Sequence, residues 1–439
     1  MKKSLLSLLV GLGLSQQAQA VDLMDVYKQA LQNDPQLLQS AAQKDVAAAG
    51  VGINRASLLP QLSAQFGYAW NDSEFAQGGQ VIGDSSHGWD ATLNLSQEIY
   101  HHDSWIRLDR AEKQATQATV AYSADVQALM IRVANAYFNV LLAQDTLAFR
   151  QAEKRAIERQ LEQTKQRFAV GLTAITDVHE AQAQYDTALA NEIQAQNDLE
   201  NSYEGLSEIT GVNYDNLDVL NTKKFSPTLP DGMVEAWVKR AEDQNLNLQA
   251  SRMGVEIARD DIKTAQAGHY PTVDLTARYN TADDASGPRL DNSSIGIGVT
   301  VPLFSGYRTT SQVEQAKANY QVTAQQLEQT YRSVVRSVRN TYNNVRASLS
   351  SVKAFEQSEI SSQSALEATE AGFEVGTRTI VDVLNANRQL YQTKQQLAQA
   401  RYTYINNILA LKQAEGSLGE ADLDAINAVL TAMVPARDE

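Results

Sequence analysis

His101-His102-Asp103 comes nearest to a metal constellation in this sequence. Adjacent histidines point in different directions, and no partner set follows at i+4, so a tetrahedral site has too few converging ligands. The plainer reading is a polar strand-to-helix junction capped by Asp103 or Ser104. Gly296-Ile297-Gly298 lacks the rest of a dinucleotide fingerprint and sits in a strand-like run. No Ser-His-Asp set is found, and Gly-x-Ser-x-Gly and Walker patterns are absent. Zero Cys removes thiolate nucleophiles, disulfides and Cys-based zinc or iron–sulfur centres, and five His leave little for a His-rich site. No enzyme activity, cofactor or metal is expected.

Two carboxylates stand out by position. Asp177 lies in Val170-Gly171-Leu172-Thr173-Ala174-Ile175-Thr176-Asp177-Val178. Asp382 lies in Val375-Gly376-Thr377-Arg378-Thr379-Ile380-Val381-Asp382-Val383, offset by 205 residues. By residue type alone, each is an N-terminal helix charge facing the macrodipole, and Arg378 is a solvated turn residue.

The offset is a property of the whole chain. Val133, Tyr137, Asn139 and Val140 match Val338, Tyr342, Asn344 and Val345 at 205, and Leu59-Pro60-Gln61-Leu62 matches Tyr270-Pro271-Thr272-Val273 at 211. Self-similarity at this scale is a tandem duplication. The eight prolines leave Gln61 to Ser226 and Leu303 to Val434 free. An interior Pro costs a helix about 3 kcal/mol, so these stretches permit very long helices. Val126, Val133, Val140 and Leu147 are seven apart, as are Val313, Tyr320, Leu327 and Val334, and Tyr331, Val338, Val345 and Val352. Sustained heptads predict coiled-coil packing.

The spacing predicts a helix from about Ser104 to Phe168, ended by Gly171, with a returning helix capped by Thr173 or Asp177 and closed by Gly211. The second copy ends at Gly376, returns from Thr377 or Thr379 and closes at Gly416. Shorter helices, about Asp22 to Ser57 and Gly232 to Ala267, precede each Pro motif, and the tail from Glu420 should add a short helix and then fray.

Between each Pro motif and the long helix, the period changes to two. Leu62, Ala64, Phe66, Tyr68 and Trp70 alternate with polar or small residues, as do Trp89, Ala91, Leu93 and Leu95. Val273, Leu275, Ala277 and Tyr279, then Ile295, Ile297, Val299 and Val301, repeat the pattern. Each half thus supplies one hairpin, joined by loops over Asp72 to Gly88 and Asp283 to Asn292. One reading is a four-stranded sheet packed on a helix. The other is a membrane barrel, apolar face on lipid. Hydrocarbon tolerates no open sheet edge, and four strands cannot close around a lumen, so spanning strands require several chains in one barrel.

Met1-Lys2-Lys3, the apolar run Leu5 to Leu14 and Ala18-Gln19-Ala20 have the order of a secretory signal peptide. The remainder shows no run of the roughly 18 to 20 consecutive apolar residues expected of a membrane-spanning helix. Lys+Arg 37 against Asp+Glu 52 gives a net charge of −15, which disfavours nucleic-acid binding. A soluble periplasmic coiled-coil scaffold without a pore stays open on these features alone.

The leader, Asp34-Pro35, the duplicated Pro hairpin, both Val-Gly segments and Arg401-Tyr402 to Leu411 together resemble the outer-membrane efflux protein (outer-membrane factor) family over essentially the whole mature chain. The resemblance implies a homotrimer: long antiparallel coiled-coil helices form an α-helical barrel, and four strands per protomer form a twelve-stranded transmembrane β-barrel. It implies an exit duct in the cell outer membrane for drug efflux and type I protein secretion. Its periplasmic entrance would open by helix movement on recruitment by an adaptor protein and an inner-membrane efflux pump or ABC exporter. The implied division is a signal peptide (1–20), an N-terminal periplasmic helix (21–57), a first β-hairpin (58–102) and a first long helical hairpin (103–211). A linker (212–231), a second short helix (232–267), a second β-hairpin (268–306), a second helical hairpin (307–416) and a C-terminal segment (417–439) follow.

The resemblance also assigns residues at the entrance. Arg378 matches an arginine bonded to the neighbouring protomer, with Thr176 and Asp177 as its partners. Asp382 matches one of two aspartates ringing the constriction; the second position is Asn385 here, so the ring carries about half the family's charge. Threefold crowding would favour cations and raise the pKa of such a ring. Phe373 stands where the family has a tyrosine bonded to the Asp177 counterpart, so one closing bond is missing. Gly171, Gly376, Val170 and Val375 mark the tips where the adaptor's hairpin would be received, Gly allowing close backbone approach.

Overall fold

The computed structural model describes residues 21–77, 80–284 and 289–431. The signal-peptide reading, the centres of both predicted hairpin loops and the end of the tail lie outside these residues. Two units are resolved, one of residues 40–122 and 246–332, the other of residues 21–39, 123–245 and 333–431.

The first unit is built on a four-stranded antiparallel sheet in the order β1-β2-β4-β5: Gln61–Gln77, Gln80–Tyr100, Thr272–Asp284 and Leu290–Thr300. Its register aligns the period-two pattern across all four strands. Leu62, Leu95, Ala277 and Ile295 form one row, and Leu275 with Ile297 the next. On the opposite face Gln65, Thr92, Asn280 and Asn292 form a row beside Ser63, Asn94, Arg278 and Ser294. Asn280 Nδ2 donates to Thr92 Oγ1 at 2.8 Å. The apolar rows are uncovered: Phe66, Trp70 and Ile297 are 72, 76 and 71% exposed. Among the described residues, β1 and β5 end the sheet with no partner strand on their outer sides. This arrangement is not the sheet packed on a helix.

The strands are longer than the alternation predicts, at 17, 21, 13 and 11 residues. Asp72 to Gln77 and Gln80 to Gly88, expected as loop, are paired ladder. Backbone pairing does not require an apolar face, and the extension has no alternation to betray it. At the sheet's end His101 Nε2 lies 3.0 Å from Asp274 Oδ1. Ser104 Oγ donates to Glu98 Oε2 at 2.6 Å, and Asp103 pairs with Arg107. No metal-binding group is found among the described residues.

The second unit is mainly helical, and helices also make up the rest of the first: Leu246–Ala267 and most of Pro35–Ala56 fall within the first unit, and His102–Ala169 and Arg308–Glu374 belong to both. The predicted helix over Asp22 to Ser57 is instead two, α1 (Leu23–Asn33) and α2 (Pro35–Ala56). Asp34 leaves helical geometry (φ −64°, ψ 115°) and its carboxylate accepts from Leu37 N at 2.8 Å, while Pro35 takes the first helical position. The second-copy helix breaks at the matching residue: α5 (Val234–Gln244) ends at Asn245, before α6 (Leu246–Ala267). The linker and tail also hold structure: β3 (Val219–Leu220) pairs with β6 (Leu430–Thr431), which follows α9 (Glu420–Asn427).

Asp34 is 2% exposed and binds Arg132 through both oxygens, at 3.0 and 2.6 Å. Burial pushes its carboxyl up, but the Arg132 hydrogen bonds, the Leu37 N–H and the Arg132 charge outweigh this and hold its pKa below the ordinary value. A carboxylate lowered in the folded state stabilises fully above the unfolded pKa of about 3.9 and loses that contribution as pH falls through its folded value. Arg132→Met is therefore expected to melt below wild type at pH 7, with the gap closing in acid at a pH below the ordinary aspartate pKa. Thermal melts at both pH values check this; an unchanged gap means the arginine acts through packing alone.

The long helices are α3 (His102–Ala169) and α7 (Arg308–Glu374), of 68 and 67 residues, each about 100 Å at 1.5 Å per residue. α4 (Ile175–Thr210) and α8 (Ile380–Glu415) return from them. The predicted seams are buried at Met130, Val133, Tyr137 and Val140 and at Val338, Val345 and Val352. One stretch of α3 is apolar enough by composition to cross a bilayer, but half of it is buried in the fold, as in a coiled-coil core.

Both return helices end at a left-handed glycine. Gly211 has φ +68° and Gly416 φ +97°. At Gly416 an added Cβ would stand 2.3 Å from the Gln244 carbonyl oxygen, whereas the left-handed Gly171 faces open space. Gly416→Ala is expected to cost about 2–3 kcal/mol from left-handed strain plus overpacking, and Gly171→Ala about 1 kcal/mol from strain alone. Comparative denaturation checks the difference; equal losses would mean the Gln244 approach is relieved at little cost.

Candidate functional site at the helix tips

The two hairpin turns use the same backbone device with different side chains. After α3, Gly171 at φ +76° donates to Phe168 O at 2.9 Å, and Leu172 N donates to Arg167 O at 2.9 Å. After α7, Gly376 at φ +80° donates to Phe373 O at 3.1 Å. Here the Gly372 carbonyl accepts three donors: Thr377 N at 2.8 Å, Thr377 Oγ1 at 3.0 Å and Arg378 N at 3.2 Å. A Cβ on Gly372 would stand 2.8 Å from Arg378 Cγ, so the bare glycine lets the Arg378 stem fold against α7.

The second return helix starts with a capping box. Thr379 Oγ1 accepts from Asp382 N at 3.2 Å, and the Asp382 carboxylate accepts from Thr379 N and Oγ1, both at 2.9 Å. These backbone and hydroxyl hydrogen bonds, with the Arg378 charge against slight desolvation, hold the Asp382 carboxyl below its ordinary pKa. The direction within one chain is opposite to that expected from crowding in a ring. Asn385, one turn further along α8, is exposed.

The first copy differs from expectation. Its N-cap is Ala174, which has no side chain to cap with; Thr173, one residue earlier, donates its hydroxyl to the Asp177 carboxylate instead. Thr176 is exposed. No hydrogen bond or ion pair joins Arg378 to Thr176 or Asp177 within the chain, among the described residues.

Phe373 is half-buried and belongs to two apolar clusters. One joins Ile157 and Leu161 of α3, Ala181 and Ala188 of α4, and Ile380 and Leu384 of α8; the other joins Leu366 of α7 to Val383 and Leu390 of α8. The Arg167 guanidinium lies 4.7 Å from the Phe373 ring centroid. Arg388 of α8 donates to Gln184 Oε1 of α4, and Lys154 of α3 meets Glu192 of α4 at 2.6 Å. The outermost residues Val170, Leu172 and Val375 are exposed. Arg167 and Gly372 escaped the reading of the sequence. They occupy matching positions of the two copies, and a glycine inside the last helical turn opposite an arginine is the signal that marks them.

The sequence model described as outer membrane efflux protein matches residues 26–212 and again 237–417, once per copy. The chain is 49% identical over 438 residues to the outer membrane protein TolC of Vibrio cholerae serotype O1, covering 98% of this chain and 99% of that one. It is 44% identical to the outer membrane protein TolC of Escherichia coli strain K12, covering 100% of this chain and 91% of that one. The crystal structure of the Campylobacter jejuni CmeC outer membrane channel superposes with a TM-score of 0.78 at 18% identity, over 93% of this chain and 90% of that one.

Proposed function

Because this chain belongs to the outer membrane efflux protein family, we propose that it works as a homotrimeric exit duct, closed at its helix tips until pump partners open it. It is an outer-membrane efflux channel protein. The finer reading is that three sheets close into one twelve-stranded barrel in outer-membrane lipid, three sets of long helices form a tunnel, and substrates of drug efflux pumps and type I secretion leave through it.

The observation that carries this reading is the sheet. Its apolar face is exposed on the outer strands at Leu62, Phe66, Trp70, Ile295 and Ile297 and on the central ones at Leu93 and Tyr279, its opposite face is polar, and neither edge has a partner strand among the described residues. Water gives no reason for that arrangement, whereas lipid outside, water inside and a neighbour's strand at each edge satisfy every group. Successive copies pair β5 of one with β1 of the next. The soluble scaffold leaves the apolar face without a partner.

At the entrance, Arg378 reaches Thr176 and Asp177 of the adjacent protomer, which agrees with its having no such partner inside its own chain. Asp382 supplies the pore's carboxylate ring and Asn385 its uncharged neighbour. Val170, Gly171, Val375 and Gly376 present the exposed tips to a periplasmic adaptor, which joins the duct to an inner-membrane efflux pump or ABC exporter. Membrane fractionation tests the whole: the protein is expected in the outer membrane, salt-resistant and running as an oligomer that heat dissociates. Release by salt as a single chain would overturn it.

A further inference from the structure

We propose that Arg167 and Phe373 form a closing clasp within each protomer, a cation–π contact between the last turn of α3 and the last turn of α7. This rests on the reading of the tips as a gated entrance. It deepens that reading by naming a contact that must part when the two helical hairpins separate.

Three observations carry it. The Arg167 guanidinium lies 4.7 Å from the centre of the Phe373 ring, within the range at which a cation is drawn to the negative face of an aromatic. Arg167 Nε is buried with no hydrogen-bond partner among the described residues, so that edge of the guanidinium is held by no acceptor beside the ring. Phe373 packs in both tip clusters, one drawing on α3, α4 and α8 and the other on α7 and α8, so covering its ring seals the junction of the hairpins.

The duplication supplies an internal control. The counterpart of Phe373 is Phe168, which is exposed, and the counterpart of Arg167 is Gly372. One copy therefore provides the cation and the other the ring, and the reciprocal pair does not exist. Phe373 lacks a hydroxyl to bond the Asp177 side of the entrance, and its ring face does the holding instead. Parting the hairpins would strip the guanidinium from the ring, which on the usual strength of such contacts biases each protomer toward closure by about fivefold.

Single-channel recording of the full-length trimer in planar bilayers tests this with Arg167→Gln, Phe373→Leu and the double variant. Each single change is expected to raise the ratio of open to closed occupancy about fivefold for each protomer that parts, with the double variant raising it no further. Arg167→Lys and Phe373→Trp, which keep a cation or a ring without adding the hydroxyl, should retain most of the closure. Single variants that match wild type, or a double variant in which the effects multiply, would overturn the clasp.

Hydrogen exchange in the detergent-solubilised protein separates this outcome from failure of the duct reading. If wild type makes no pore, the duct reading fails, and the clasp is still judged by whether Arg167→Gln speeds exchange across residues 366–375. Faster exchange there supports it and an unchanged rate overturns it.

Discussion

Replacing Ile297 with lysine is expected to remove the heat-sensitive oligomer from the outer membrane, while lysine at Asn292 on the same strand is expected to leave it in place. Both residues lie on β5, but the register puts Ile297 in the apolar row with Leu275 and Asn292 in the polar row with Asn280 and Thr92. A lysine facing lipid near the bilayer midplane costs about 2–4 kcal/mol. In the proposed threefold barrel the substitution occurs three times, so the penalty would reach about 6–12 kcal/mol per assembly, comparable to the whole stability of an ordinary domain. At Asn292 the ammonium faces water and the penalty vanishes. If the sheet stood in water, Ile297 at 71% exposure would be an ordinary surface site and lysine there would change stability by no more than about 0.5 kcal/mol. Outer-membrane fractions run unheated on a denaturing gel distinguish the two. Equal recovery of both variants means the apolar face does not meet lipid.

Asp382→Asn is expected to abolish block of the pore by a trivalent cation and to reduce its cation preference. Asparagine keeps an oxygen able to accept the Thr379 bonds, so the start of α8 survives while the charge disappears. In the proposed trimer one substitution would remove all three carboxylates of the ring. If each contributes about 1.5 kcal/mol to holding a charged donor, block weakens by about a thousandfold. The capping bonds keep Asp382 ionised further into acid than an ordinary aspartate, whereas repulsion between three copies works the other way. Titrating the block from pH 7 downward shows which prevails: loss above about pH 4 indicates crowding, and persistence below it indicates the cap. Block unchanged in the variant would remove Asp382 from the pore.

The helical architecture was legible because its signals are local. Proline-free length, heptads and terminal glycines each act within a few turns, and α3, α4, α7 and α8 follow them. Their buried seams are the predicted ones at Val133, Val140, Val338 and Val345. The short helices were misjudged at Asp34 and Asn245, where one extended residue interrupts an otherwise helical run. Pro35 alone suits the first turn of a helix as well as a break. The strands were shortened because residues after Trp70 and before Trp89 lose their alternation while the backbone goes on pairing.

At the tips the residue types pointed to the right turns, but not to what holds them. Ala174 gives no capping signal, and Thr173 acts from one position earlier. Arg167 and Phe373 are 206 positions apart, and only folding of the two copies against each other places a guanidinium over that ring. The duplicated pattern itself concealed this, because it invites equal roles for matched residues. Gly372 and Arg167, or Phe168 and Phe373, are matched in sequence and opposite in use.

Imaging single particles of the detergent-extracted protein tests the account most directly. The expected particle holds three chains about one threefold axis, with a closed twelve-stranded barrel in the micelle and a helical tube projecting from it. A particle containing one chain, monodisperse once detergent is withdrawn, would contradict the account, since the two free sheet edges and the uncovered apolar face would then need no neighbour.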